Sequence, residues 1–404
     1  MNDTITDDRS LTGARKALFV IAVFLLNLFT YGENGVMPIV NNIYEAFGAG
    51  ILTDYIVSAS PLWIAIGAAI SGRLMQTVTK KRLLILGGAL YALSSILCVR
   101  VPSIHYVALM RSLMGLGAGF INTVAFAYIA QLYVDEGRRA AFTGYFNAAG
   151  FVLGAIISYA AGLLSIPEWT NAFLVYLPTV VAVVATVLFV PELGLEGSAA
   201  QDGEDDAPES SREGLGPLFV PFVINYVLFC AMYSVIAYFV SIYVVEAEIG
   251  DAALAGALLA VSTLSGFVTS AIFGRLYTLL GKRVAALCLA LSAASLLAMY
   301  LFQSVPVAYV AVFLVGASYG AYYAYSYVYV AEIVPASRIN DAISYTTASF
   351  AVLYFVIPFA ASFLTATVTG GSYLKLYLFA AIAGVVGICI ELATDGTYRR
   401  LKNK

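Results

Sequence analysis

The sequence predicts an all-α integral membrane protein with twelve transmembrane helices in two pseudo-symmetric six-helix bundles. Three observations support this fold class: an apolar composition, a series of long apolar runs, and basic residues at alternate ends of these runs. Hydrophobic residues make up 61% of the 404 residues and charged residues 11%, a balance too apolar for a water-soluble core. Each crossing of a bilayer needs roughly 20 apolar residues. On that criterion the predicted helices lie near 17–40, 51–75, 83–100, 106–130, 140–163, 170–190, 217–245, 252–276, 283–302, 307–331, 340–364 and 372–392.

The basic residues define a topology. All 21 lysines and arginines except Arg100, Arg111 and Lys375 fall at the chain termini, in the loops after even-numbered helices, or within a turn of these. The positive-inside rule then places both termini in the cytoplasm. The polar first sixteen residues precede an apolar run that is longer than the core of a signal peptide and lacks a cleavage site. We therefore expect an uncleaved, multi-pass protein of a prokaryotic plasma membrane.

An abrupt change of composition divides the predicted helices into six and six. The stretch 196–212 is acidic and poor in apolar residues, which is typical of a flexible linker, although an acidic interaction tail would look similar. The predicted organisation is a cytoplasmic N-terminus (1–16), a first bundle (17–190), an acidic cytoplasmic linker (191–216), a second bundle (217–392) and a basic cytoplasmic tail (393–404).

The two halves also match each other at an offset near 200 residues. The matched residues are Gly72-Arg73-Leu74 with Gly274-Arg275-Leu276, Lys81-Arg82 with Lys282-Arg283, Gly115 and Gly119 with Gly316 and Gly320, Arg138 with Arg338, and Tyr145 with Tyr345. Parallel six-helix repeats of this kind are typical of a large class of secondary transporters.

Arg111 is the most informative single residue. It stands inside the run from Tyr106 to Ile129, which is otherwise apolar and long enough to cross a bilayer. A charge at such a depth is costly, so it marks a functional site by default. The segment from Arg111 through Gly115 and Gly117 to Gly119 resembles the arginine-plus-glycine signature on the fourth helix of drug transporters of the major facilitator superfamily.

A second motif resembles the same family. The Gly-x-Leu…Lys-Arg pattern is similar to the superfamily's loop between helices two and three, and it occurs once in each half, with Gln76 and Thr278 where the family has an acid. The resemblance implies a gating role, and close packing at the glycines; alternatively, the charges only set topology. The candidate gating residues are Gly72, Arg73, Lys81, Arg82, Gly274, Arg275, Lys282 and Arg283. On the fifth helix, Gly150 to Gly154 only partly resembles the antiporter signature, because Phe151 replaces its proline.

Glu33 is the only carboxylate deep inside a predicted span of the first half. At 1.5 Å per helical residue, Glu33 and Arg111 reach similar depths, so the two charges can pair. We expect Glu33 to bind and release the coupling proton as its hydration changes. The alternatives are a static ion pair or a position in the outer vestibule.

The candidate substrate-binding residues lie on helices four, seven and ten, which line the cavity in the family. Asn122 follows Arg111 by three helical turns and shares its face. Tyr319 and Tyr323 correspond in the repeat to Ala118 and Asn122, and they supply aromatic surface where the first half has charge. Asn225 and Tyr233 are weaker candidates, and ordinary helix packing is the alternative for all of these tyrosines.

These patterns together predict a secondary active transporter that moves a small organic solute by alternating access, through proton-coupled efflux of amphipathic compounds. The alternative is uptake or exchange of an organic anion, with Arg111 as counter-charge. We expect no enzyme activity and no ATP-driven pump, since the chain has one histidine, no clustered catalytic side chains and no phosphate-binding loop. The expected partners are the lipid bilayer, the solute and a proton, with no nucleic acid, cofactor or metal, and the chain is expected to act as a monomer.

Overall fold

The computed structural model describes residues 13–133, 135–193, 214–335 and 338–402. Regular structure in these residues is helical throughout, with no strand, and forms twelve helices in chain order. Their bounds are α1 Gly13–Leu25, Asn27–Thr30, Gly32–Gly35, Met37–Ile39 and Val40–Phe47; α2 Ile51–Leu74; α3 Lys80–Leu97; α4 Ile104–Leu132; α5 Glu136–Leu164; α6 Trp169–Tyr176 and Pro178–Phe189; α7 Phe219–Glu246; α8 Ala252–Ala271 and Phe273–Leu280; α9 Arg283–Phe302; α10 Val305–Ile333; α11 Ile339–Leu364 and Thr365–Thr369; and α12 Leu374–Lys402.

Eleven helices of the described part are long and apolar enough to cross a membrane. The twelfth, α3, has only 18 residues and begins with the three basic residues Lys80-Lys81-Arg82. The predicted all-helical membrane fold is confirmed. The membrane-spanning part of the last helix is Leu374–Thr394, close to the predicted 372–392, and α12 itself continues to Lys402.

The first helix is broken, which the prediction of one continuous helix missed although Gly32, Gly35 and Pro38 lie in the break. Instead of one helix over 17–40, α1 runs from Gly13 to Phe47 in five pieces, and Gly32–Gly35 and Met37–Ile39 are 3₁₀ turns. Irregular backbone at membrane depth is tolerated where it is buried in protein or lines a water-filled cavity. The break therefore marks the part of α1 around Glu33 as a candidate for function.

The chain divides into two compact units, Met1–Gly203 and Glu204–Lys404. The first unit holds α1 to α6 and the second holds α7 to α12. Residues 1–12 and the acidic stretch 196–212 lie outside the described residues.

The same close helix packing occurs within each unit, at glycines that correspond in the sequence repeat. In the first unit, a Cβ at Gly119 of α4 would lie 2.3 Å from the carbonyl oxygen of Ile64 in α2. In the second, a Cβ at Gly320 of α10 would lie 2.0 Å from the carbonyl oxygen of Gly266 in α8. Since neither approach leaves room for a side chain, these glycines allow the paired helices to touch along their backbones.

The glycines of α5 serve the broken α1 in a similar way. A Cβ at Gly150 would lie 2.1 Å from the Tyr31 ring, and one at Gly154 would lie 2.6 Å from the Asn34 amide nitrogen. The Asn27 amide, itself buried, donates to the carbonyl oxygens of Phe24 and Phe146 at 3.1 Å each. Polar side chains of α1 therefore occupy the space that the two glycines leave on α5.

Candidate functional site

Arg111 is fully buried in α4, and its side chain donates three hydrogen bonds. Its Nη1 donates to Oε2 of Glu33 at 3.2 Å, its Nη2 donates to Oε1 of the same carboxylate, and its Nε donates to the carbonyl oxygen of Ile56 at 3.0 Å. The pairing of the two charges is therefore bidentate, which is the strongest geometry for a guanidinium and a carboxylate. The Arg111 side chain is 0% exposed and the Glu33 side chain is 20% exposed, so Glu33 is the member that water can reach.

Two tyrosines hold the 3₁₀ segment that carries Glu33. The hydroxyl of Tyr176 in α6 donates to the carbonyl oxygen of Gly32 at 2.9 Å. The hydroxyl of Tyr91 in α3 lies where a side chain at Gly32 would begin, 1.9 Å from the position of a Cβ. A larger residue at position 32 would collide with the Tyr91 hydroxyl, so this contact requires glycine there. The broken segment thus has a defined position against α3 and α6.

Asn122 does not join this pair. It is half-buried on α4, eleven residues after Arg111, which is about 16 Å along the helix. Its side chain makes no hydrogen bond with any part of the chain that the structure describes. A direct contact with one small bound group at both residues is excluded by that separation.

Three of the aromatic candidates form a stack in the second unit. The rings of Tyr233 in α7 and Tyr319 in α10 lie 3.9 Å apart at an angle of 13°, and Tyr319 and Tyr323 follow at 6.0 Å and 28°. Tyr323 also shares a hydroxyl–hydroxyl hydrogen bond of 2.8 Å with Tyr327. Tyr323 and Tyr327 are 40% and 39% exposed, and the Tyr327 ring meets Tyr323 edge-on at 5.2 Å, so this end of the stack exposes aromatic surface.

Asn225 lies elsewhere, at a carboxylate that the sequence analysis missed. Its amide nitrogen donates to Oε2 of Glu391 in α12 at 2.8 Å, and the Tyr325 hydroxyl lies 3.5 Å from Oε1. Asn225 is 1% exposed. Because the predicted helix ended at 392, Glu391 was taken as a residue at the helix end and was not considered as a candidate. The continuation of α12 to Lys402 is what places it inside a helix.

Two of the basic motif residues form ion pairs at the ends of neighbouring helices within their own unit. Lys282 pairs with Glu332 at 3.0 Å and lies 5.2 Å from the ring of Tyr329. Arg82 pairs with Glu192 at 3.4 Å. Arg73, Arg275 and Arg283 are exposed, and Lys81 is half-buried. Partial burial, and secondarily Glu332, raise the pKa of Tyr277 above its ordinary value.

Two details of the motif differ from the sequence-based interpretation. A Cβ at Gly72 or Gly274 would meet nothing within 4 Å, so the expected close packing at these glycines is wrong. The amine of the buried Lys80 donates to Oε1 of Gln131 at 2.7 Å. This contact corresponds to the one between Lys282 and Glu332 in the second unit. Lys80, rather than Lys81, is therefore the counterpart of Lys282.

Among the described residues there is no group of three or more His, Cys, Asp or Glu side chains that could hold a metal ion.

Comparison with known proteins identifies the family. A model described as the Major Facilitator Superfamily matches residues 20–283 and, in a second alignment, residues 222–404. The chain belongs to the major facilitator superfamily, and it is a multi-pass membrane protein.

The relatives span several kinds of transporter. The chain is 25% identical over 170 residues to the drug efflux pump JefA of Mycobacterium tuberculosis, a segment that covers 41% of this chain and 33% of JefA. The chain spans a quarter to a third of the length of the mycobacterial relatives it matches. A crystal structure of a bacterial homologue of the human lysosomal transporter Spinster superposes with a TM-score of 0.76 at 12% identity, covering 96% of this chain and 98% of that one. The crystal structure of a D-xylose–proton symporter superposes with a TM-score of 0.71 at 16% identity, covering 93% of this chain and 96% of that one.

Proposed function

We propose that the chain expels amphipathic organic compounds by alternating access, in exchange for protons. The observation that carries this proposal is the bidentate pair of Glu33 and Arg111, in which a fully buried cation is neutralised by a carboxylate on a broken helix. A titratable group at a helix break has both the chemistry and the local freedom that proton coupling requires. The similarity to JefA, named as a drug efflux pump, supports the direction of transport.

The exposure of the two side chains suggests which of them carries the proton. Glu33 is partly exposed and Arg111 is not, so a proton arriving through water reaches the carboxylate. Protonation removes the charge of Glu33 and leaves Arg111 with the Ile56 carbonyl oxygen alone. An uncompensated buried charge costs about 3–5 kcal/mol. The protonated form therefore favours a rearrangement of the broken segment of α1, and this difference couples the proton to the transport cycle.

The tyrosine stack supports an aromatic or cationic amphipathic substrate. Tyr323 and Tyr327 expose their rings at one end of the stack, and a ring face attracts a cation through its quadrupole. A planar apolar group continues such a stack with the same geometry that Tyr233 and Tyr319 already show. We propose Tyr319 and Tyr323 as the principal aromatic contacts, with Tyr233 supporting Tyr319.

The coupling role is tested with Glu33→Gln in proteoliposomes. Substrates are first found by counterflow against a panel of amphipathic organic cations and anions. The variant is then measured in two modes: transport driven by a pH gradient, and exchange at equal substrate concentrations. We expect the first to be lost and the second to remain largely intact, because exchange does not need a change in protonation.

Glu45→Gln is the matched control. Glu45 lies in the last piece of α1, accepts a hydrogen bond of 2.7 Å from Asn41 and is on the surface, so its amide form should keep both modes. A Glu33→Gln protein that still accumulates or expels substrate on a proton gradient would contradict the coupling assignment.

Binding of an organic anion by Arg111 is the competing function. Arg111 already donates to Glu33 and Ile56, so an anion could bind it only by displacing the Glu33 carboxylate. In that case Arg111→Lys would keep some binding, Arg111→Ala would abolish it, and the pH gradient would have no direct effect. Partial loss in the lysine variant follows from the different geometry of the two cations.

The proposed topology places both termini in the cytoplasm of a prokaryotic cell. It is tested by cysteine labelling of intact cells in a background where the exposed Cys389 is replaced by serine. An impermeant reagent should label a cysteine at Gly250, between α7 and α8, and miss one at Gly274, near the opposite end of α8. The reverse pattern would overturn the topology.

A further inference from the structure

A polar cavity of about 280 Å³ lies in the first unit at the ends of α3 and α6. This volume is slightly below the range of about 300–1,000 Å³ for ligand pockets, so the cavity suits the polar headgroup of a larger molecule. Its polar lining comprises Arg100, Glu168, Thr170 and Asn171, and its rim includes Leu174 and Leu177. All of these residues belong to one compact unit.

The two charges in this cavity face the same space without pairing with each other. No ion pair within 4.0 Å joins Arg100 or Glu168 to any other residue in the described ranges. Arg100 is also one of the few basic residues that break the positive-inside distribution, and arginine is depleted at that end of transmembrane helices. Two opposite charges that line one cavity without pairing with a described residue match a ligand that carries both signs.

The position of the cavity is that of a membrane interface. Trp169, directly after Glu168, packs against Phe47 and Phe173 at ring distances of 6.2 and 6.5 Å, and tryptophan is enriched at the headgroup level. On the other side, Leu174 and Leu177 are 41% and 49% exposed, as expected for side chains that meet lipid. Charges and apolar surface therefore adjoin in the order of a phospholipid's headgroup and acyl chains.

We propose that this cavity binds the headgroup of a zwitterionic phospholipid with a primary amine, that is, phosphatidylethanolamine. The phosphate lies against Arg100, the ammonium group donates to Glu168 and to the Asn171 side-chain oxygen, and the acyl chains follow Leu174 and Leu177. An anionic lipid would place its net charge beside Glu168. A choline headgroup has no N–H to donate, so it satisfies only the phosphate half of the site.

Native mass spectrometry of the purified full-length protein tests this assignment. The protein is equilibrated with equal amounts of dioleoyl phosphatidylethanolamine, phosphatidylcholine and phosphatidylglycerol. We expect retention of phosphatidylethanolamine about tenfold above the other two lipids, which is the effect of one hydrogen bond to a charged group. Glu168→Gln should remove its advantage over phosphatidylcholine, and Arg100→Gln should weaken both.

Glu248→Gln, at an exposed carboxylate of the second unit, should leave the preference unchanged. If either charge variant fails to fold, Leu174→Trp fills the rim and should lower lipid retention with both charges in place. Equal retention of the three lipids by the unaltered protein would overturn the proposal, as would a preference that survives both charge variants. Selective retention of phosphatidylglycerol, lost only in Arg100→Gln, would identify a simple anion site and would also overturn it.

Discussion

The guanidinium of Arg111 donates to both carboxylate oxygens of Glu33, which is 78 positions away in the chain. This contact ties α4 to the broken segment of α1, and the Arg111 bond to Ile56 adds α2 to the same point. Three helices of the first unit therefore meet at one neutralised charge. A change in the charge of Glu33 weakens its two hydrogen bonds with Arg111, so the stability of the unit should report on the pair.

A double-mutant cycle should show that the pair is energetically coupled. Glu33→Gln leaves the Arg111 charge buried without a counter-charge, and Arg111→Gln leaves the carboxylate without its cation, so each should lower thermal stability in detergent. The double variant removes both charges and should be more stable than the two single effects predict. A coupling of about 1–3 kcal/mol is expected for residues in direct contact. Strictly additive losses would mean that the pair contributes no interaction energy.

A second prediction compares glycines that look alike in the sequence but differ in their surroundings. Gly119→Ala and Gly320→Ala force a methyl group against a backbone carbonyl oxygen at 2.3 and 2.0 Å, so the helices must separate. Overpacking of this kind costs about 1–3 kcal/mol, and the melting temperature should fall in both variants.

Gly72→Ala is the internal control for this comparison, because its methyl group meets open space. Alanine is favoured over glycine inside a helix by about 0.5–1 kcal/mol, so this variant should be as stable as the parent or slightly more stable. A loss at Gly72 equal to that at Gly119 would show that helix contact is not the cause.

Much of the fold could be predicted because its signals are strong and regular. Apolar runs located the helices, and the matched glycines Gly115 and Gly119 with Gly316 and Gly320 indicated the repeat that the packing of α4 and α10 displays. The pairing of Glu33 with Arg111 was also accessible, because two rare charges at similar depth have few other ways to be neutralised.

The remaining features depend on tertiary contacts that leave little trace in local sequence. The break in α1 contains Gly32, Gly35 and Pro38, but its position is held by Tyr91 and Tyr176 from distant helices, and those contacts cannot be read from the local sequence. Glu391 was missed because the end of an apolar run was taken as the end of the helix. The contacts show that Lys80, rather than the adjacent Lys81, corresponds to Lys282. A sequence pattern with two adjacent lysines cannot distinguish them.

The two candidate asparagines should separate into different roles. Asn225 donates to the Glu391 carboxylate and is buried, so Asn225→Ala should lower stability by about 1–3 kcal/mol through the loss of that donor. Asn122 has no hydrogen bond within the described part of the chain, so Asn122→Ala should leave the melting temperature unchanged. If Asn122 binds substrate, as the sequence analysis predicts, its variant should instead weaken apparent affinity in transport. An equal loss of stability in both variants would contradict the distinction.

The last prediction concerns the tyrosine stack and separates ring from hydroxyl. Tyr319→Ala and Tyr323→Ala remove aromatic surface worth about 0.5–1.5 kcal/mol in a stacked contact, so apparent substrate affinity should fall several-fold while the protein still inserts into the membrane. Tyr319→Phe keeps its ring against Tyr233, which lies 3.9 Å away, and should retain most of the affinity. Tyr323→Phe loses the 2.8 Å hydrogen bond to Tyr327 and should show a small effect of its own.

Tyr159→Ala, at a tyrosine of α5 that is 48% exposed, serves as the matched control and should behave as the parent. Affinity measured by concentration-dependent counterflow decides the matter: if both alanine variants bind as tightly as the parent, the stack is helix packing and the substrate lies elsewhere.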